Sequence, residues 1–146
     1  MANETVAVTI SVVRPDANHV LALVRGPLSW DSHSKLGEQL DMASGFGWRR
    51  KPLVLDLSGV SFIDSSGISS MLTFHREMTG TGGQLILCQV PVRVDQTFRL
   101  VGLARIIPVV GTSEDARHLL TARQSGEKNI FTTDEQQVFT NNQSQR

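Results

Sequence analysis

The chain has 146 residues, with 14 Lys plus Arg against 14 Asp plus Glu and a formal net charge of zero. That is enough for one domain with a real core and too little for two ordinary ones, and it leaves no electrostatic footprint for nucleic acid or an anionic membrane. A single cysteine, Cys88, excludes an internal disulfide and fits a reducing cytoplasm. No stretch approaches the roughly 20 consecutive apolar residues of a membrane helix, and the polar start "MANET" lacks the regions of a signal peptide, so a soluble, unexported chain is expected.

In chain order, "TVAVTISVV" (5 to 13) places Val6, Val8, Ile10 and Val12 on one side at period two. A turn at Pro15-Asp16-Ala17-Asn18 and a second β-rich run, "HVLALVRG" (19 to 26), complete a predicted hairpin. After Gly26-Pro27, either Ser29 or Asp31 can cap a helix with Leu36, Leu40 and Ala43 on its apolar side, ending near Gly45 and Gly47. "PLVLDLSGVSFI" (52 to 63) reads as a central strand, because the continuous "LVLDL" suits burial on both faces. Ile68, Met71, Leu72, His75 and Met78 then fall at spacings of three and four, one face of a helix.

"TGTGG" (79 to 83) ends that helix, with Gly80, Gly82 and Gly83 offering positive-φ positions. Such glycines cradle phosphate only when they precede a helix, so they read as a cap and turn. "QLILCQV" (84 to 90) is the next strand, and Pro91 opens a helix containing Val94, Phe98, Leu100 and Val101 that closes at Gly102. A short strand "IIPVV" (106 to 110) and a helix from Ser113 to about Arg123 follow, with Ser113 as cap and Glu114 and Asp115 placing charge at its start. The order β-β-α-β-α-β-α-β-α implies an α/β fold: a mixed sheet with helices packed on it and parallel neighbours after an antiparallel start. A domain over 1–123 is expected. Residues 124–146, rich in Gln, Asn, Ser and Thr, read as a polar tail, either a plain flexible end or a partner-binding appendage through Ile130, Phe131, Val138 and Phe139.

Catalytic patterns are missing. Ser65 and Ser66 lack the glycine that would precede a nucleophile elbow, and Ser32-His33-Ser34-Lys35 stands without the companion elements of its enzyme class, so it reads as a polar first helical turn. His19, His33, His75 and His118 show no metal-ligand spacing, and no Gly-x-x-x-x-Gly-Lys-Ser/Thr loop occurs. What remains is "FIDSSGIS" (62 to 69) on a loop at a strand's carboxyl end, where ligands of such sheets are met. Asp64 is placed to cap the next helix, with Ser65 and Ser66 in its first turn. Two readings stay open from these residues: capping chemistry alone, or a phosphorylation switch in which a serine gains about 1.5 to 2 negative charges.

"LVLDLSGVSFIDSSGISSMLTFHREMTGTGGQLILCQV", followed by "FRLVGLARIIPVVGTSEDA", resembles the STAS domain family and within it the bacterial anti-sigma factor antagonists, over roughly residues 5 to 120. The most specific block is "DLSGVSFIDSSG", a strand, a hydrophobic run and an Asp-Ser-Ser-Gly opening a helix. The resemblance implies a cytoplasmic partner-switching regulator, not an enzyme, with no cofactor of its own and no direct contact with nucleic acid or membrane. Unphosphorylated, it would bind an anti-sigma factor that is also a serine kinase, freeing a sigma factor. Phosphorylation at Ser65, with Ser66 as second choice, would reverse this, and a serine phosphatase would reset it.

Asp64, Ser65, Ser66 and Gly67 would belong to the docking surface, with Ser29 and Trp30 as further partner-binding residues. Where family members often read Gly-x-Leu-Asp, this chain has Gly26-Pro27-Leu28-Ser29, so a carboxylate is missing at Ser29. Trp30 beside it reads equally as an exposed partner anchor or a boundary core residue. The competing implication is a non-switching STAS scaffold or accessory subunit, as in a stress-signalling assembly or a lipid-transport complex.

Overall fold

The structure is a computed structural model that describes residues 8–15 and 19–124. Within them, β1 (Thr9–Pro15) pairs antiparallel with β2 (Val20–Leu28), and β3 (Pro52–Ile63), β4 (Gln84–Cys88) and β5 (Val109–Val110) continue the sheet in parallel, in the spatial order β1-β2-β3-β4-β5. The helices are α1 (Ser32–Ser44), α2 (Ser65–Gly80), α3 (Val92–Val101) and α4 (Ser113–Gln124), with 3₁₀ turns at Phe46–Arg50 and Leu103–Arg105. Residues 5–7 and 16–18 of the expected hairpin, and the expected tail from residue 125 on, lie outside the described residues.

Alternation along β3 shows why it is central. Leu53, Leu55 and Leu57 join the larger core with Leu36 and Leu40 of α1, Met71, Phe74 and Met78 of α2, and Val94 and Phe98 of α3. Val54 points the other way, with Ile86 and Cys88 of β4, against Ala116, Leu119 and Leu120 of α4. A strand covered on both faces carries apolar residues in both rows, as Leu53, Val54 and Leu55 do. Burial also pushes the Cys88 thiol up to about 12, with the Asp56 and Asp115 carboxylates adding to the rise, so it stays protonated and unreactive at neutral pH.

Two aromatic residues that periodicity did not single out hold α1 to α2. Phe74 is fully buried, packs edge-on against Trp48 at 5.8 Å between ring centroids, and has the His33 ring 4.8 Å away. Trp48, in the first 3₁₀ turn, donates its indole N–H to Asp41 Oδ1 at 2.8 Å, and the Arg49 guanidinium lies 4.3 Å over its ring while bonding the same carboxylate at 3.2 Å. His33 and Glu77 meet at 3.1 Å across the same helix pair.

Several boundaries differ from the expectation, each for a local reason. β2 runs on through Gly26 and Pro27 to Leu28, because Gly26 takes φ 99° and irregularities in the β2–β3 register absorb the extra residues. No side chain caps α1. Asp31 holds the cap position, but its carboxylate faces Lys35 Nζ at 3.7 Å, and Ser29 bonds elsewhere. Of the three glycines in this stretch only Gly82 has positive φ; Gly80 is the last residue of α2, and Gly83 is required because a Cβ there would lie 2.3 Å from the Arg49 carbonyl oxygen.

Pro91 is the residue before α3 rather than its first turn, and Leu100 and Val101 face outward. Only Val109–Val110 of the fifth strand pairs, since Ile107 turns into the core. Thr112, not Ser113, caps α4: its Oγ1 accepts from Asp115 N–H at 3.0 Å while Asp115 Oδ2 accepts from Thr112 N–H at 3.2 Å, a reciprocal box.

Because Phe74 is the aromatic hub between sheet, α1 and the first 3₁₀ turn, Phe74→Ala is expected to cost about 3–5 kcal/mol of stability. The check is a urea titration, in which the midpoint should fall with the slope unchanged.

Candidate functional site

Past Asp56, which is opposite the last residue of β4, β3 continues beside β2 alone until Leu28 pairs with Ile63. The loops after these two strands therefore stand beyond the rest of the sheet. Asp64 follows Ile63 with extended backbone angles (φ −118°, ψ −173°), and its N–H donates to the Leu28 carbonyl at 3.2 Å. The next residue begins α2. Asp64 Oδ1 accepts from Gly67 N–H at 2.9 Å, the bond that an N-cap makes to the third helical residue.

The other carboxylate oxygen is also engaged. Ser29 Oγ donates to Asp64 Oδ2 at 2.5 Å, tying the β2–α1 loop to the start of α2. A hydrogen bond to an ionised carboxylate is among the stronger ones. Together the Ser29 hydroxyl, first, and the Gly67 N–H, second, hold the Asp64 carboxyl below the usual carboxylate range, against a smaller opposing effect of burial. In this chain position 29 supplies a hydroxyl donor to Asp64, where a carboxylate would meet it as a like charge.

Gly67 has a packing reason to be glycine. A Cβ on it would lie 2.1 Å from the Leu28 carbonyl oxygen and 2.8 Å from Ile63 Cγ1, so the first turn of α2 rests directly on the end of β2. The residue is buried. Ser65 and Ser66, by contrast, are exposed, and among the described residues neither hydroxyl has a side-chain hydrogen bond, although the Ser66 carbonyl accepts from Ser70 Oγ at 3.1 Å.

The geometry thus brings together Asp64, Ser65, Ser66, Gly67 and Ser29. Trp30 follows Ser29 and is 79% exposed, which decides between anchor and core residue in favour of exposure. Phe62, within the hydrophobic run that ends β3, is 51% exposed. Alternation was the available signal: Ile63 packs on the larger core, so its neighbour must point away. Among the described residues no group of three or more His, Cys, Asp and Glu is placed to hold a metal ion, and no helix is long and apolar enough to cross a membrane.

Two expectations follow from this geometry. Gly67→Ala should destabilise the domain by about 1–3 kcal/mol or more, since backbone on both sides must move, and thermal unfolding reads it. Asp64 has a folded-state pKa below its unfolded one, so its contribution to stability is complete above the ordinary carboxylate range and is lost as pH falls through the depressed value. Ser29→Ala should raise the Asp64 pKa and move acid unfolding to higher pH, which NMR titration of the carboxyl and a pH-dependent unfolding curve together measure.

Residues 9–116 match the family model described as the STAS domain. BtrV of Bordetella bronchiseptica, named as a candidate anti-sigma factor antagonist, is 28% identical over 97 residues, which is 66% of this chain and 82% of that protein. The anti-sigma F factor antagonist of Paenibacillus polymyxa is 30% identical over 64 residues, 44% of this chain and 55% of that one. Among solved structures, the anti-sigma factor antagonist SpoIIAA in its unphosphorylated form superposes with a TM-score of 0.55 at 22% identity, over 84% of this chain and 100% of that one. With a family model spanning all five strands and reaching into α4, the chain belongs to the STAS domain family.

Proposed function

We propose that this protein is an anti-sigma factor antagonist switched by phosphorylation of Ser65. The observation that carries the reading is the division of labour in one turn: Asp64 is committed to capping α2, while Ser65, the residue after it, presents a free hydroxyl to solvent at a helix N-terminus. The names of the relatives support the antagonist role in this reading.

Unphosphorylated, the chain binds an anti-sigma factor with serine kinase activity through the first turn of α2 and Trp30, and so releases a sigma factor. The kinase brings ATP and magnesium; this chain supplies only the acceptor. A serine phosphatase restores the binding form. Asp64 and Gly67 build the docking turn by capping and close packing, and Ser66 is the alternative acceptor. As a regulator of this kind the protein is not an enzyme and acts in the cytoplasm.

The electrostatics suit a switch that acts on a partner rather than on the fold. A phosphoryl group adds about 1.5 to 2 negative charges. The helix N-terminus favours an anion by about 0.3–1 kcal/mol, and the ionised Asp64 next to it opposes by a similar order. For the folded chain these largely offset. For a partner seated on the turn, the new charge is a desolvated anion with no counter-charge, and like-charge or unpaired contacts of this kind cost several kcal/mol.

Incubation with candidate serine-kinase anti-sigma factors and ATP should therefore place phosphate on Ser65, located by mass spectrometry. Ser65→Asp should weaken anti-sigma factor binding at least about tenfold, or about 1.4 kcal/mol, with little change in melting temperature, whereas Ser65→Ala should bind as wild type. Equal binding by both variants, with both serines unmodified, would instead support the non-switching scaffold.

A further inference from the structure

Ser29 is half-buried and spends its single hydroxyl proton on Asp64 Oδ2, rather than pointing out toward a partner. Its backbone is equally committed. Ser29 N–H donates to the buried Ser32 Oγ at 2.8 Å, and the Ser29 carbonyl accepts from Ser32 N–H at 3.2 Å, so the residue is locked to the first turn of α1. Among the described residues, the Ser29–Asp64 bond is the side-chain hydrogen bond that joins this loop to the turn carrying Ser65. Trp30, the next residue in the chain, is mostly exposed and takes its position from that loop.

We propose that Ser29 is a positioning residue for the switch: its hydroxyl couples the charge on Ser65 to the loop that presents Trp30. The inference rests on the reading of Ser65 as phosphoacceptor. A hydroxyl has one proton to donate. With Ser65 uncharged, the ionised Asp64 carboxylate is its acceptor, and the Trp30 loop is drawn against α2. A phosphoryl group on the neighbouring residue brings strong acceptor oxygens of its own and repels the carboxylate. The Asp64 carboxylate, repelled by the new charge, then holds the Ser29 proton less well, the bond loosens, and the loop bearing Trp30 shifts together with the first turn of α1 to which Ser29 is tied. Charge at one residue is thereby read as a change in the aromatic anchor as well as a local repulsion. Alanine at position 29 leaves Asp64 capping Gly67 but removes the link to the loop.

The test is made on the full chain without a partner, using the fluorescence and acrylamide quenching of Trp30. Trp48, the second of the two tryptophans, is subtracted with matching Trp30→Phe samples. Ser65→Asp should change Trp30 quenching in the wild-type background and in Ser29→Thr, which keeps a hydroxyl. In Ser29→Ala most of that change should be lost. A merely structural Ser29 would lower the melting temperature while leaving the response to Ser65→Asp in place, and that result overturns the proposal. So does the absence of any response in the wild-type background. No kinase is involved, so the two readings fail separately: phosphate found on Ser65 without coupling removes this inference alone, and coupling with Ser65 never phosphorylated removes the switch.

Discussion

The peptide carbonyl of Leu28 sets the geometry on which the candidate site depends. It accepts the Asp64 N–H at 3.2 Å, and its oxygen would sit 2.1 Å from any Cβ at position 67. The end of β2, the end of β3 and the first turn of α2 are thus in backbone contact. No flexible side chain intervenes to take up slack, so the angle at which α2 leaves the sheet follows from two strands pairing up to Leu28 and Ile63. That pairing in turn depends on the core beneath it, where Leu28, Leu57 and Val60 pack with Met71 of the helix. The exposed hydroxyl of Ser65 is held at a defined place because everything under it is buried and close-packed.

A site of this kind asks for a different electrostatic design from a catalytic one. Catalytic carboxylates are commonly raised in pKa so that they can exchange protons near neutral pH. Asp64 is shifted the other way, held ionised by Ser29 and Gly67, which suits a group that caps and positions but transfers no proton. The sole cysteine is equally inert, its thiol pushed up to about 12 by burial on the α4 side of the sheet. Both titratable groups closest to chemistry are therefore fixed in one protonation state across the physiological range.

The sequence was most legible where one physical requirement acted alone. Burial of β3 on both faces made "LVLDL" readable as central, and the free N–H groups at the start of α2 made Asp64 readable as a cap. Legibility failed where two requirements competed. Gly26-Pro27 carries turn chemistry, yet pairing with β3 carries β2 through it. Thr112 and Ser113 are both capping residues, and the choice went to the one with Asp115 three positions on. Trp48 lies in "GFGWRR", which has no period, so its burial depends on Asp41 and Phe74 from other elements. The position of Ser29 shows the limit most clearly: as a missing family carboxylate it reads as a loss, and only the contact with Asp64 turns it into a donor.

That contact also bears on how far a charge at Ser65 can be felt. The chain as a whole is neutral, so no large field exists for an added dianion to modify. At physiological ionic strength, exposed charges are screened over about 8 Å, which confines direct repulsion to groups seated on the turn itself. Any wider effect has to travel through bonded contacts. Besides the backbone bond from Asp64 N–H to the Leu28 carbonyl, a side-chain hydrogen-bonded path runs from Asp64 to Ser29 and into the start of α1. A partner that grips Trp30 as well as the first turn of α2 would therefore meet two consequences of one charge, a local repulsion and a displaced anchor, whereas a partner touching the turn alone would meet only the first.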